Sequence, residues 1–247
     1  MNIMITLAGQ SRRFKNAGFL KPKFLLELDG KPIILHVTDM FSRNDNFYFV
    51  FNKNQIKDNR EILEIIKSNF INYKIIEIEP HEKGPVFSAM QIKDISKDEP
   101  LIISYCDFFV EWNYNEFINS VLDYDMVIPS FKGFHPASFG KTTYAYTKID
   151  DNNELIELKE KESFTSSRIN EYANSGIYYF KSWETFKSNA KDLIIEGYGN
   201  LKEGYVSLLA NIINRKGGKV LITEIKKFIC LGTPEDYNMY NFWSDLF

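Results

Sequence analysis

The chain has 247 residues, of which 44% are hydrophobic and 15% aromatic, and its formal net charge is −3. This length and apolar content are enough to bury one large core, so we expect a single enlarged α/β domain. The slightly acidic balance argues against a nucleic-acid partner, which would need a basic surface. No apolar run reaches the roughly 18 residues that span a bilayer, and no signal-type N-terminus is present. We therefore expect a cytoplasmic protein with no membrane partner.

The first half of the chain alternates between strand and helix patterns. Apolar β-branched runs and amphipathic runs follow one another. The predicted elements are a strand at 2–8, a helix at 31–41, a strand at 46–52, a helix at 59–70, a strand at 73–79, a helix at 86–95 and a strand at 101–107. This rhythm predicts a mainly parallel sheet.

The second half has a mixed pattern. The predicted elements are a helix at 115–122, strands at 124–131, 143–150, 154–161 and 173–180, a helix at 201–217 and a strand at 219–225. No repeat or flexible linker divides the chain. Because ligands collect at the carboxyl ends of parallel strands, we expect a nucleotide-binding half at about 1–110 and an acceptor-binding half at about 111–247.

A turn of small residues follows the first predicted strand and is rich in features that suit phosphate. Arg13 and Lys23 bring two cations to the same end of the sheet, and the turn lacks bulk, so that backbone N–H groups can approach phosphate oxygens. The turn consists of Leu7, Ala8, Gly9, Gln10 and Ser11. The pattern predicts a triphosphate site; the alternative is a surface turn flanked by solvated charges.

The strand at 101–107 ends in a carboxylate, Asp107. A carboxylate in this position can hold Mg²⁺ while NTP oxygens and water complete the coordination shell. The alternative is that Asp107 only caps the following turn.

The two cysteines, Cys106 and Cys230, are far apart and form no C-x-x-C pattern, so we expect neither a disulfide nor a thiolate zinc site.

Five segments of the chain match motifs of one known family. The opening LAGQSRRF, followed by KPKFLLELDGKP, is similar to the pattern L-A-G-x-G-[ST]-R-[FL] followed by P-K-x-L-x-x-x-x-G-K-P. LIISYCD is similar to a strand that ends in a metal-binding aspartate, ELKEKE to an E-K-P segment, ANSGIYYF to N-[AS]-G-I-Y-x-F, and LGTPEDY to G-T-P-E-D-[YL]. Together, and over nearly the whole chain, these segments resemble the sugar-phosphate nucleotidyltransferases, also called nucleotide-sugar pyrophosphorylases, particularly the short forms encoded with capsule and cell-surface polysaccharide genes.

The resemblance implies a fold and a reaction. The fold is a Rossmann-like three-layer αβα arrangement with a mainly parallel mixed central sheet, the GT-A-like nucleotidyltransferase fold. In the reaction, a phosphate oxygen of the acceptor attacks the α-phosphorus of an NTP and pyrophosphate leaves. The resemblance assigns the leaving pyrophosphate to Arg13, the α-phosphate to Lys23 and Mg²⁺ to Asp107.

The nucleobase is assigned by the resemblance to the segment 82–85. Gly84 matches a family glycine, and Glu82 has a carboxylate that accepts but cannot donate hydrogen bonds. Such an acceptor suits the amino group of cytosine better than uracil or thymine, which favours CTP. The alternative is that Glu82 is a solvated charge beside Lys83.

The phosphorylated acceptor is assigned by the resemblance to Glu160, Lys161 and Asn174. Without the family match, these residues read as an exposed charged strand end and an ordinary strand entry. We expect the acceptor to be a sugar 1-phosphate or a non-sugar phosphate such as phosphocholine or a phosphorylated amino acid, because fold and loop do not define it.

Several positions depart from the family pattern. Ser11 replaces a glycine of the phosphate loop, Glu162 replaces the proline of E-K-P, and Ala145 replaces a glycine of the acceptor pocket. Cys230 occupies the place of a second aspartate, which leaves the second metal ligand unidentified. The departures at Ser11, Glu162 and Ala145 argue against an ordinary hexose 1-phosphate as acceptor, whereas the departure at Cys230 argues against a magnesium site with two acids.

Two other function classes remain open. A GT-A-type glycosyltransferase would use a D-x-D motif, whereas here the strand ends Tyr105-Cys106-Asp107. A non-catalytic nucleotide sensor would keep the loop but lack the lysine or the metal-binding acid. No pattern decides the oligomeric state, and a small homo-oligomer is compatible with the sequence.

Overall fold

The computed structural model describes residues 1–135, 138 and 143–246. Its strands are β1 (Asn2–Thr6), β2 (Glu27–Leu28), β3 (Lys31–Pro32), β4 (Asn46–Asn52), β5 (Tyr73–Ile78), β6 (Leu101–Tyr105), β7 (Phe108–Glu111), β8 (Met126–Phe131), β9 (Ala145–Ile149), β10 (Leu155–Glu160), β11 (Tyr172–Asn174), β12 (Ile177–Phe180), β13 (Val220–Glu224) and β14 (Lys227–Cys230). Its α-helices are α1 (Arg12–Asn16), α2 (Ile33–Thr38), α3 (Lys53–Asp58), α4 (Glu61–Asn69), α5 (Pro85–Ala89), α6 (Tyr114–Ser120), α7 (Trp183–Glu196), α8 (Leu209–Arg215) and α9 (Pro234–Ser244).

A ten-stranded mixed sheet runs through the molecule. Its order is β10-β9-β11-β8-β12-β6-β1-β4-β5, and β13 pairs with β8. The strands β6, β1, β4 and β5 are parallel to their neighbours within that group, as the βαβ pattern predicted. β12 is antiparallel to both β6 and β8, so the sheet changes direction where the two halves of the chain meet. The prediction of a mainly parallel mixed α/β sheet is confirmed.

Both faces of the sheet are buried, which explains why most positions of its central strands are apolar. In β1, Ile3 and Ile5 belong to one core cluster and Met4 to the other. In β4, Phe47 and Phe49 face the first cluster and Tyr48 the second. Alternate residues of one strand therefore point into opposite layers, the period-two rule of a pleated strand. No helix in the described part of the chain has the length and hydropathy to cross a bilayer.

The predicted strands are all present, whereas the predicted helices are shorter than expected. The helix expected at 86–95 ends at Ala89. The helix expected at 201–217 begins at Leu209, after a 3₁₀ turn at 206–208, because the backbone of Gly204 pairs instead with Lys83 and Val86. Elements that the sequence did not predict include α1, α3, α7, α9 and the antiparallel pair β7–β14.

The register of the central strands brings the candidate site together. Thr6 at the end of β1 lies beside Tyr105 at the end of β6, so the turn after β1 and Asp107 emerge next to each other. The strand expected at 173–180 is broken between β11 and β12 at Gly176, which has a φ of +96°. A Cβ there would lie 2.7 Å from the Phe108 ring, so only glycine fits this crossing.

Candidate active site

Two adjoining cavities open at the carboxyl end of the parallel strands. The small cavity has a volume of about 230 Å³ and is lined by the turn after β1, by Lys23 and by the segment before α5. The large cavity has a volume of about 650 Å³ and lies between β6, β10, β11 and the start of α9. Tyr105, Asp107 and Tyr205 line both cavities. A ligand bound in the small cavity can therefore meet a second ligand in the large one at Asp107.

The turn after β1 forms part of the wall of the small cavity. Leu7, Ala8, Gly9 and Ser11 line this cavity, whereas Gln10 faces a different pocket. Ser11 adopts the left-handed conformation with a φ of +51° and begins α1 without a side-chain cap. The family glycine at this position is thereby explained, because glycine adopts that conformation without the steric cost that other residues meet.

Lys23 and Asp107 form a close ion pair between the two cavities. The Lys23 Nζ lies 2.6 Å from Asp107 Oδ2, and the two side chains are 18% and 31% exposed. Burial opposes the charged form of Lys23, but the nearby Asp107 carboxylate, with a smaller contribution from Cys106, raises the pKa of Lys23 above its ordinary value. The predicted catalytic lysine and the predicted metal-binding acid are thus in direct contact.

Arg13 has a different environment from Lys23. It lies on α1, is exposed and lines the large cavity. Within residues 1–135, 138 and 143–246, no hydrogen bond or ion pair joins its guanidinium to another side chain. A planar guanidinium that no described side chain binds is available for bidentate contact with phosphate oxygens.

The base segment contributes Gly84 to the small cavity but not Glu82. The Glu82 carboxylate pairs with Arg12 at the surface, where the two side chains are 70% and 64% exposed. Gly84 is buried with a φ of +89°, and a Cβ there would lie 2.7 Å from the backbone N and O of Gly204. The backbone of the second half of the chain therefore packs directly on this glycine.

The three predicted acceptor residues all line the large cavity. Glu160 is half-buried and accepts a hydrogen bond from the Ser207 hydroxyl; burial raises the pKa of its carboxyl. Lys161 is exposed, with a φ of +61°, and its ammonium lies 4.6 Å from the centre of the Tyr205 ring. One carboxylate and one ammonium therefore face the same space.

Asn174 is the most buried of the three, at 3% exposure. Its Oδ1 accepts a hydrogen bond from the Ser130 hydroxyl at 3.4 Å. Its Nδ2 is buried and interacts with the Tyr178 hydroxyl, but it makes no hydrogen bond of good geometry in the part of the chain that the structure describes. Because buried donors are nearly always paired in folded proteins, this amide is suited to donate to a ligand in the large cavity.

Comparison with known proteins identifies the family. A model of the MobA-like NTP transferase domain matches residues 3–163. The chain belongs to this family. A bifunctional GlmU protein from Methanococcus maripaludis is 24% identical over 249 aligned residues, which cover all of this chain and 51% of the relative. The chain thus spans about half the length of the curated relatives that it matches.

Solved structures with the same fold include two nucleotide-transferring enzymes. The nucleoside-diphosphate-sugar pyrophosphorylase from Vibrio cholerae RC9 has a TM-score of 0.77 at 17% identity, covering 96% of this chain and 98% of its own. The inositol-1-phosphate CTP transferase from T. maritima has a TM-score of 0.73 at 12% identity, covering 99% and 95%. The predicted nucleotidyltransferase fold and the resemblance to nucleotide-sugar pyrophosphorylases are confirmed; the link to capsule genes stays a prediction.

The NTP transferases generally use a divalent metal, and Asp107 is the described carboxylate that lines both cavities and can serve as a hard ligand for it. Burial, followed by the Asp236 charge, raises the pKa of Cys230 to about 12, so its thiol stays protonated at neutral pH and is a poor ligand. Asp236 caps α9 by accepting from the backbone N and hydroxyl of Thr233. No group of three or more metal-binding side chains occurs among the described residues. Because Mg²⁺ is commonly held by one or two carboxylates plus substrate phosphates, Asp107 fits as a single protein ligand.

Several cavity residues were not found from the sequence. His81 donates through Nε2 to the Ser88 hydroxyl at 3.0 Å, because its Nδ1 accepts from the backbone N of Lys83 at 3.1 Å. Burial lowers the pKa of His81, which favours the neutral imidazole with its proton on Nε2. Tyr205, whose hydroxyl donates to Glu203, lies between the two cavities. No local pattern marks these residues, since their role depends on the packing of distant segments.

Proposed function

We propose that this protein transfers a nucleoside monophosphate from an NTP to a phosphorylated small molecule and releases pyrophosphate. The observation that carries this proposal is the Lys23–Asp107 pair at the junction of the two cavities, beside a turn suited to phosphate. An oxygen of the acceptor phosphate attacks the α-phosphorus, and the bond to the bridging oxygen of the pyrophosphate breaks. The protein supplies no nucleophile, so catalysis rests on positioning and charge neutralisation.

The small cavity, formed mainly by the first half of the chain at about 1–110, would hold the NTP. The large cavity, formed mainly by residues from about 111–247, would hold the acceptor. Lys23 would contact the α-phosphate, which moves from the NTP to the acceptor. Arg13 lines the large cavity and not the small one, and it is exposed and without a side-chain partner among the described residues; its guanidinium would turn towards the small cavity to neutralise the leaving pyrophosphate. In this arrangement the two halves form one reaction space rather than two independent sites.

Mg²⁺ is the metal that we propose for this site. Asp107 would supply its protein ligand, and the NTP oxygens and water would supply the rest. When bound, the ion would neutralise charge on the phosphates. The ion pair with Lys23 holds the Asp107 carboxylate at the junction of the cavities. We expect Asp107→Ala to abolish metal-dependent turnover; an unchanged magnesium requirement in that variant would reject the assignment.

For the base, we propose CTP as the preferred donor. The proposal rests on the acceptor-only chemistry of Glu82, whose carboxylate would have to leave Arg12 to reach a base. Glu82→Gln should then reduce the preference for CTP over UTP. If the CTP:UTP ratio of kcat/KM is the same in this variant, Glu82 is a surface charge and the base is selected elsewhere, for instance by the backbone at Gly84.

For the acceptor, the large cavity combines Glu160, Lys161 and Asn174. A carboxylate accepts hydroxyl or amino hydrogens, an ammonium pairs with phosphate, and the amide N–H₂ donates. These groups suit a sugar 1-phosphate, and equally phosphocholine or a phosphorylated amino acid. The product would be an activated precursor for capsule or cell-surface polysaccharide.

The decisive experiment is pyrophosphate release with Mg²⁺, in which CTP, UTP, dTTP, ATP and GTP are each paired with sugar 1-phosphates, phosphocholine and phosphorylated amino acids. One productive pair would identify the base, the acceptor and the reaction class together. Transfer from a nucleotide sugar without pyrophosphate release would instead support the glycosyltransferase alternative. Nucleotide binding without turnover on any acceptor would favour the sensor alternative.

A further inference from the structure

Two buried amide side chains, Asn52 at the end of β4 and Gln55 in α3, hold the carbonyl groups of the turn after β1, the phosphate loop. Gln55 Nε2 donates to the carbonyl oxygens of Leu7 and Gly9, at 2.7 Å each. Asn52 Nδ2 donates to the carbonyl oxygen of Ala8 at 2.9 Å. The two side chains are 4% (Asn52) and 8% (Gln55) exposed, and neither lines the small or the large cavity. Three consecutive carbonyl groups are therefore bound from the side of α3.

The two amides are themselves locked by a reciprocal capping box at the start of α3. Asn52 Oδ1 accepts from the backbone N of Gln55 at 3.1 Å, and Gln55 Oε1 accepts from the backbone N of Asn52 at 3.0 Å. A flipped amide would place an oxygen against a carbonyl oxygen and lose the cap as well. The orientation in which both NH₂ groups face the loop is thus the one that satisfies all the hydrogen bonds.

This arrangement orients the N–H groups of the loop. All peptide bonds of the described residues are trans, and a trans peptide plane points its C=O and its N–H in opposite directions. With the carbonyl groups of Leu7, Ala8 and Gly9 bound towards α3, the N–H groups of Ala8, Gly9 and Gln10 point away from it. These three N–H groups make no hydrogen bond within the described part of the chain. The small cavity lies along this loop.

We propose that Asn52 and Gln55 are positioning residues that pre-organise the loop N–H groups for the phosphates of the NTP. This inference rests on the proposed function. Donors that are already oriented lose little conformational freedom when an anion binds, so they contribute more to affinity and to stabilisation of developing charge. Without the two amides, the loop is free to turn its carbonyl oxygens towards the phosphates, where they repel.

Three variants test the inference. Gln55→Met removes both donated hydrogen bonds without adding charge. Gln55→Glu and Asn52→Asp keep the capping oxygens but lose the donors. We expect each to raise the dissociation constant for inorganic pyrophosphate, and for the NTP that the wild type binds best, by about ten- to a hundredfold. The KM for the acceptor should change less than twofold, and circular dichroism and thermal unfolding show whether each variant is folded.

Asn189→Asp is the matched control. Asn189 is 7% exposed and donates through Nδ2 to the backbone carbonyl of Thr185 in α7, at 2.7 Å, outside both cavities. The Asn189→Asp protein should bind pyrophosphate with the same affinity as the wild type. Wild-type affinity in a folded Gln55→Met protein, or an equal rise in the acceptor KM, would overturn the inference while leaving the proposed function intact. A wild type that binds neither pyrophosphate nor any NTP would overturn both.

Discussion

Lys23 and Arg13 are the two cations of the candidate site, and the structure holds them in different ways. Lys23 is largely buried and paired with Asp107, whereas Arg13 is exposed and has no side-chain partner among the described residues. The loss of Arg13 should therefore affect charge neutralisation at phosphate and not folding. The loss of Lys23 should affect both, since it leaves the Asp107 carboxylate without its cation.

We expect Arg13→Ala and Lys23→Ala each to lower kcat by about 10²–10³, the loss typical for one preorganised transition-state contact. Lys15→Ala is the control, because Lys15 is an exposed cation on the same helix that lines neither cavity. Steady-state pyrophosphate release measures the effect, and urea unfolding separates it from stability. Near-normal turnover in both test variants would contradict the assigned roles.

Ser11 offers a prediction about stability rather than chemistry. Its left-handed φ of +51° is costly for a residue with a Cβ, and its hydroxyl caps no N–H of α1. Ser11→Gly should therefore raise the free energy of unfolding, by roughly 1 kcal/mol. Asn153→Gly is the comparison, since Asn153 has a φ of +61° but asparagine tolerates this conformation. Equal gains in urea unfolding for the two variants, or a loss for Ser11→Gly, would contradict the strain argument.

At the scale of elements, the segment before α5 and the segment before α8 meet backbone to backbone. The Gly204 N donates to the Lys83 carbonyl at 3.0 Å, and the Val86 N donates to the Gly204 carbonyl at 3.1 Å. Gly84 permits this approach because it has no side chain. The contact joins the segment next to the small cavity to the second half of the chain.

Gly84→Ala should disturb this contact, and Gly197→Ala is its matched control. Gly84 and Gly197 have nearly the same backbone conformation, with φ of +89° and +83°, but a Cβ on Gly197 would meet nothing within 4 Å. Both variants place an alanine at a positive φ, which costs on the order of 1–3 kcal/mol. Gly84→Ala alone should lose additional stability and weaken NTP binding, as measured by urea unfolding and calorimetry. Equal losses in the two proteins would show that the contact with Gly204 is unimportant.

At the scale of the whole molecule, the three histidines predict how stability depends on pH. Burial lowers the pKa of His36, His81 and His135 below the ordinary histidine value near 6.5. At pH values between the ordinary histidine pKa and the lower pKa values of the folded protein, the unfolded chain binds more protons than the folded protein. The free energy of unfolding should therefore decrease as the pH falls below about 6.5.

Urea unfolding at several pH values from 7.5 to 5.5 measures this dependence. His36→Gln should make the decrease shallower, because it removes one of the three titrating groups. The His36 ring also stacks on Phe109. A free energy of unfolding that stays constant or rises over this range would contradict the prediction. Asp29, whose pKa is lowered by hydrogen bonds from Ser244 and Tyr240, titrates below this window and does not interfere.

The sequence by itself determined the parallel core of the sheet and the family. Strands such as Asn46–Asn52 are recognisable because their apolar, β-branched and aromatic character is local, and both of their faces are buried. The motifs around Arg13 and Lys23 are likewise contiguous in the chain. Local patterns of this kind carry their information within a few neighbouring residues, so a single sequence is enough to read them.

Only the tertiary structure decided which side chains meet. Lys23 and Asp107 are 84 positions apart, and Gln55 contacts a carbonyl 48 positions away at Leu7. The sequence made Glu82 a candidate for binding the nucleobase, but its carboxylate pairs with Arg12 outside both cavities. Contacts at such separations depend on how strands and loops pack against each other. Hydrophobic periodicity predicts the elements, but it does not specify which polar atoms the packed elements bring within hydrogen-bonding distance.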